Sequence, residues 1–127
     1  MTVLIKRAYE PVAATDGLRV LVDRLWPRGI KKAAANLAFW MKDVAPSSKL
    51  RVWFGHRPER FKEFTSRYKK ELSGNSAVGE LRKLAKQRRV TLVYGARDPK
   101  VNHAVVLAAV LRNRSAAAPK LARKIKS

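Results

Sequence analysis

No cysteine occurs in the chain. That removes disulfides, thiolate metal sites and a cysteine nucleophile together. Histidine occurs only twice, at positions 56 and 103, too few and too far apart for a zinc site, so neither metal nor cofactor is expected. Acidic side chains are scarce, with nine Asp and Glu against 29 Lys and Arg and a formal net charge of +20. No long apolar run exists: the longest stretch, Ala104–Leu111, is far too short to span a bilayer. Met1–Leu4 is followed at once by Lys6 and Arg7, without the apolar core of a signal peptide. A cytoplasmic protein with no membrane partner is expected. The phosphate-binding loop Gly-x-x-x-x-Gly-Lys, the dinucleotide fingerprint Gly-x-Gly-x-x-Gly, the His-Glu-x-x-His metal motif and a serine elbow are also missing. No reaction class follows from motifs.

What remains is a chain of 127 residues, enough for one domain, with 46% apolar residues, enough for a core. Its pattern predicts an α/β fold: a single small domain with a short, mostly parallel sheet flanked by helices. Strands are expected at Val3–Tyr9, Arg19–Leu25 and Val90–Ala96. The continuous apolar run Val20–Val22 suggests burial on both faces. The linker Pro11–Gly17 is short for a helical crossover, which leaves the relative direction of the first two strands open.

Helical spacing predicts a helix over Ala33–Val44, with Leu37, Trp40, Met41 and Val44 on one stripe, stopped by Pro46. Ser47 is a plausible cap for a short helix Ser48–Phe54 ending at Gly55. Pro58 opens a longer helix with Phe61, Phe64, Tyr68 and Leu72 inward and a Glu63–Arg67 pair outward. Ser73–Gly74–Asn75 breaks it, and another helix runs to about Arg88 with Leu81, Leu84 and Ala85 inward. Asp98 as cap and Pro99 as first residue are expected to start the final helix. That helix is apolar nearly all round, so it should pack on more than one side, against a neighbouring helix or a second subunit; a homodimer is one expectation. The domain is expected over 1–113 and a basic flexible tail over 114–127. Arg112, near the end of the domain, and Arg114, Lys120, Arg123, Lys124 and Lys126 in the tail are candidate nucleic-acid contacts.

Four clusters could carry chemistry. The first is Asp23, Arg24, Trp26 and Arg28, at the end of a strand. Arginine offers a permanently charged fork for phosphate or carboxylate, and tryptophan a stacking face. Strand alternation is expected to send Asp23 and Arg24 to opposite faces. The second is Trp40, Lys42 and Asp43, with Trp40 on the apolar stripe and the charged pair facing water. The third is Trp53, Phe54 and His56, where the histidine is a candidate acid or base. The fourth is Tyr94, Arg97, Asp98, Asn102 and His103, at a strand end and helix start suited to an anion. Arg24, Trp26, Arg28, Trp53, Arg97 and Asn102 are the candidate ligand-binding residues. His56 and His103 are the candidate catalytic residues, and Asp23, Asp43, Tyr94 and Asp98 the supporting ones. For each cluster a purely structural role in salt bridges, caps or core is the competing reading.

The run Asp16-Gly17-Leu18-Arg19-Val20-Leu21-Val22-Asp23-Arg24-Leu25-Trp26-Pro27-Arg28-Gly29 is similar to the signature of the YeaO-like branch of the DUF488 family. Trp40-x-Lys42-Asp43-x-Ala45-Pro46-Ser47, Leu50-Arg51-x-Trp53-Phe54-Gly55-His56 and Asn102-His103-Ala104-Val105-Val106-Leu107 also match, in the same order, so the resemblance covers roughly residues 2–112. It implies a single α/β domain and no established activity. In the broader family the segment after the last strand resembles Cys-Ala-Glu and then Cys-His-Arg. Tyr94-Gly95-Ala96 and Asn102-His103-Ala104 stand at those positions here. Both cysteines and the glutamate are therefore gone, and only His103 carries over.

Three functions fit these features. The favoured expectation is a pocket for a small phosphate- or carboxylate-bearing ligand, such as a nucleotide, with Arg24 and Arg28 as clamp. The second is a nucleic-acid-binding module that contacts phosphates without sequence selectivity. The third is a structural or regulatory interaction domain.

Overall fold

Four parallel strands build the sheet of this protein: β1 (Val3–Arg7), β2 (Leu18–Leu21), β3 (Phe39–Trp40) and β4 (Val90–Tyr94), in the order β1-β4-β2-β3. The computed structural model describes residues 1–113. The expected tail, 114–127, with Arg114, Lys120, Arg123, Lys124 and Lys126, lies outside the described residues. Helices α1 (Lys32–Ala35), α2 (Ser48–Phe54), α3 (Phe61–Ser73), α4 (Ser76–Gln87) and α5 (His103–Arg112) complete the α/β domain.

The last strand in sequence is central in space. β4 pairs with β1 from Val3↔Val90 to Arg7↔Tyr94 and with β2 from Leu18↔Val90 to Leu21↔Val93. All five of its residues are buried, as expected for a parallel strand covered on both faces. The direction left open by the short linker is settled as parallel. β1 and β2 do not touch through one crossover, because β4 lies between them.

The two sheet faces differ. Val20, Val22, Val90, Leu92 and Tyr94 join the main core with Phe54, Phe64, Tyr68, Leu81 and Leu107 from the helices. Stacked rings of Phe54 and Phe64, 4.2 Å apart, belong to it. The other face carries Arg19, Leu21, Thr91 and Val93, and loops cover it. Asp16 lies under this cover, buried with Arg19. Arg19 donates to Asp16 Oδ2 (2.8 Å) and Lys6 to Oδ1 (3.0 Å), while Thr91 donates to the Asp16 carbonyl (2.6 Å). Burial pushes the Asp16 carboxyl up. Hydrogen bonds from the Ala13 N–H, Lys6 and Arg19 outweigh it and hold the group below its usual value.

Three expectations need correction. The helix over Ala33–Val44 does not form. Lys32–Ala35 makes one turn, and Asn36 then takes a left-handed φ of 48°. The chain goes on as β3, because Ala38 N donates to Arg19 O (2.8 Å) and Met41 N to Leu21 O (2.9 Å). A 3-10 turn at Lys42–Val44 follows. Trp40 is thus on an exposed edge strand, not on a buried stripe, and its Nε1 donates to Asp23 O at 2.7 Å. Second, α5 starts at His103 with Asn102 as its cap, four residues later than expected. Asp98 instead caps a turn through Lys100 N and Val101 N. Those two hydrogen bonds also lower the Asp98 carboxyl. Third, β1, β2 and β4 end at Arg7, Leu21 and Tyr94, short of Tyr9, Leu25 and Ala96.

The apolar surface of α5 is used within the chain, against β1, β4 and α3. Ala104, Val106, Leu107, Ala108 and Leu111 are buried. The α5 terminus is tied down by the Arg112 guanidinium, which donates to Val3 O.

Candidate functional site

In a parallel sheet every strand ends at the same rim, and the segments that leave the strands meet there. Here they enclose a cleft of about 250 Å³. Tyr9 follows β1, Asp23–Arg28 follow β2, Ala45 and Pro46 follow β3, and Gly95 and Ala96 follow β4. Asn102 and His103 enter from the start of α5. Arg51, Phe54 and His56 come from α2 and its exit, and Phe64 from α3.

Because β2 ends at Leu21, strand alternation does not govern Asp23 and Arg24. Both line the cleft, contrary to the opposite-face expectation. The loop that carries them is braced at several points. Trp26 Nε1 donates to Ile30 O (2.6 Å), and its ring meets Trp40 edge-on at 5.4 Å. Lys42 Nζ lies 4.1 Å from the centre of the Trp40 ring. Tyr9 donates its hydroxyl proton to Arg28 O (2.7 Å). Arg24 Nε donates to Pro46 O (3.2 Å), which fixes one edge of that guanidinium.

The cleft is cationic at its rim. Arg28 and Arg51 are exposed and Arg24 is half-buried. Among the described residues no carboxylate stands within ion-pair distance of any of the three; those so paired are Lys6, Arg19, Arg57, Arg67 and His103. His56 joins this rim with a left-handed φ of 59°, directly after Gly55, which ends α2 at φ 54°. A histidine held in that region is uncommon and carries backbone strain, which recurs at ligand sites. Its ring sits 6.2 Å from that of Phe54.

The floor is apolar around one polar pair. Phe54, Phe64, Ala45, Pro46 and Pro27 surround Asp23 and His103. Asp23 Oδ2 accepts from Gly95 N (2.9 Å), and a Cβ at position 95 would also fall 2.9 Å from that oxygen. Only a residue without a side chain lets the backbone just after β4 approach the carboxylate this closely. His103 Nε2 lies 3.0 Å from Val22 O and 3.2 Å from Asp23 Oδ1. Val22 O can only accept, so a proton on Nε2 would serve it; Asp23 Oδ1 is close but buried without a hydrogen bond. Asn102 is buried and engaged at both ends, with Oδ1 accepting from Val105 N (3.0 Å) and Nδ2 donating to Asp98 O (2.7 Å).

Of the residues singled out from sequence, Asp23, Arg24, Trp26, Arg28, His56, Asn102 and His103 therefore meet around one cleft. Trp53, Asp43, Tyr94, Arg97 and Asp98 do not line it. Trp53 lies under Arg67 and Arg60, at 4.4 and 5.1 Å from its ring centre. Asp43 is exposed, with its carbonyl accepting from Asn75 Nδ2 (2.6 Å). Tyr94 is buried, and burial followed by the charge of Glu10 pushes its phenol up. Arg97 is exposed. Sequence reasoning missed Arg51, Tyr9 and Phe64. The signal for Arg51 was available: it precedes Phe54 by three positions, which puts both on one helix face. Among the described residues no group of three or more His, Cys, Asp or Glu side chains gathers to hold a metal ion. None of their helices is long and apolar enough to cross a membrane.

A family described as "Inactive DUF488-N3 subclade" matches residues 2–125, further than the motifs alone reach. The uncharacterized protein Rv3073c of Mycobacterium tuberculosis (strain ATCC 25618 / H37Rv) is 50% identical over 112 residues, covering 88% of this chain and 95% of that protein. The uncharacterized protein Mb3100c of Mycobacterium bovis gives the same figures. The uncharacterized protein YeaO of Escherichia coli (strain K12) is 42% identical over 114 residues, covering 89% of this chain and 99% of that protein. No solved structure matches.

Proposed function

The chain belongs to the inactive DUF488-N3 subclade, and from that premise we propose that it is a binding domain for a small phosphate- or carboxylate-bearing ligand, held in the cleft at the strand ends. One observation carries this reading. Arg24, Arg28 and Arg51 line the same cleft, and none of them has a carboxylate partner among the described residues. A guanidinium cannot lose its charge at any ordinary pH, so it needs water or an anion as partner. Aromatic walls beside it reduce the water available and strengthen the attraction to an anion. The family's description as inactive supports binding over turnover. So does the use of the Asn102 side chain as a helix cap. His56, on the same rim, flanks the bound anion, and His103 lies on the floor below it.

The test is a thermal-shift and calorimetric series with inorganic phosphate, nucleoside monophosphates and simple carboxylates. A ligand that binds only the folded state raises its stability by about 2.7 kcal/mol at a hundredfold excess over Kd. Arg28 and Arg51 make no side-chain bond to the described residues, so Arg28→Gln/Arg51→Gln should fold normally. It should bind at least about tenfold more weakly. Equal binding by this variant, or no stabilisation by any anion, would sink the proposal.

A second reading draws on the charge of the whole surface. Among the described lysines and arginines only Lys6, Arg19, Arg57 and Arg67 stand within ion-pair distance of a carboxylate. A surface this rich in free cations supports non-specific contact with a nucleic-acid backbone, through counterion release.

A further inference from the structure

Resting on the anion reading above, we infer that the ligand is bipolar: it carries a hydroxyl or amino hydrogen-bond donor on its body, opposite the anionic group, and this donor meets His103 Nδ1 on the cleft floor. Arg24, Arg28 and Arg51 can only donate, so the rim selects an acceptor such as a phosphate. The floor has the reverse polarity. Its side-chain donors are already engaged. His103 Nε2 faces Val22 O, and Asn102 Nδ2 donates to Asp98 O. Tyr9, at the mouth, gives its proton to Arg28 O.

A carbonyl oxygen can only accept, so the contact with Val22 O places the ring proton of neutral His103 on Nε2. Asp23 Oδ1, 3.2 Å from Nε2, holds the ring in the same tautomer by its negative charge. In that neutral ring Nδ1 keeps a lone pair. It has no partner among the described residues and is not fully buried, on a ring that lines the cleft. The rest of the floor, Phe54, Phe64, Ala45 and Pro46, offers apolar contact and no competing donor. A body that presents only acceptors would face the Nδ1 lone pair and the Asp23 charge, which is repulsive.

Matched ligands test this directly. Calorimetry would compare 4-aminophenyl phosphate with its isostere 4-methylphenyl phosphate, and glycerol 3-phosphate with propyl phosphate, using inorganic phosphate as reference. In at least one pair the donor-bearing member should bind about three- to tenfold more tightly. His103→Phe keeps a flat ring but removes the acceptor, and the preference within each pair should vanish. Equal affinities within both pairs would overturn the inference and leave the anion reading intact. So would a preference that survives His103→Phe. Failure of every phosphate, inorganic phosphate included, would overturn both. Should the variant not fold, the wild-type pairs decide alone.

Discussion

Gly17 shows how far one residue can be constrained by a partner remote in sequence. Its φ is +66°, and a Cβ there would sit 2.3 Å from the carbonyl oxygen of Arg89. That carbonyl accepts from Leu18 N at 2.9 Å, and so fixes the start of β2 against β4. Gly17→Ala combines left-handed strain with a backbone clash and should cost at least about 2 kcal/mol. Urea unfolding checks it, and a wild-type midpoint would refute the close approach. Asp16, the neighbouring residue, sets an acid limit. Its carboxyl is lower in the folded state than in the unfolded chain. The stabilisation is therefore present above the unfolded value of about 4, and is lost as pH falls through the lower folded value. Melting temperature should decline below about pH 4, and the decline should be shallower in Asp16→Asn. Of the site residues, Arg24, Arg28 and His103 were legible because their chemistry is unusual at a strand end or helix start. Phe64 was not, because a ring at helical spacing in a core reads the same whether or not one edge of it meets a cleft.

The best-read element is α2. Its signals are local: Ser47 Oγ accepts from Leu50 N (3.1 Å) and Gly55 ends it in a left-handed turn. Glu71, from α3, adds what the sequence does not show, accepting from Ser47 N (2.9 Å) and from Ser47 Oγ (2.7 Å). A seven-residue helix is marginal by itself, so the cap and this tether both matter. Ser47→Ala should cost about 1 kcal/mol, seen as a lower urea midpoint with an unchanged m-value. Because α2 carries Arg51 and Phe54, the same change should weaken anion binding in parallel. An unchanged midpoint would contradict this account of the cap. The misread element is β3. Leu37, Trp40, Met41 and Val44 have helical spacing, but the open edge of β2 offers hydrogen bonds to residues 38 and 41. That competition between local period and sheet edge depends on where β2 lies, which residues 33–44 do not encode.

For the whole molecule, charge is the dominant variable. At +20 the folded chain repels itself, and few of the cations among the described residues are offset locally. Salt screens that repulsion, with a Debye length of about 10 Å at 0.1 M. Melting temperature should rise between about 0.02 and 0.3 M sodium chloride, provided the ion is one that does not occupy the cleft. A flat or falling curve would mean that self-repulsion is not limiting. The same series separates the two binding readings. Affinity for an oligonucleotide should fall steeply, with a slope set by the number of phosphates contacted. Affinity for a small anion in a partly enclosed cleft should fall much less, because fewer charges are involved.

The sequence by itself determined the class of the domain, the capped helices and the excess of positive charge. These depend on composition, period and neighbours within a few positions. It also pointed to the strand end at Asp23–Arg28. Only the tertiary structure decided that β4 lies between β1 and β2, that residues 39–40 extend the sheet, and that Arg24, Arg28, Arg51 and His56 share a rim above the Asp23–His103 pair. The reason is physical. Parallel strands bring residues far apart in the chain to one end of the sheet, and which of them meet depends on strand order, a property of pairing that no local stretch of residues contains.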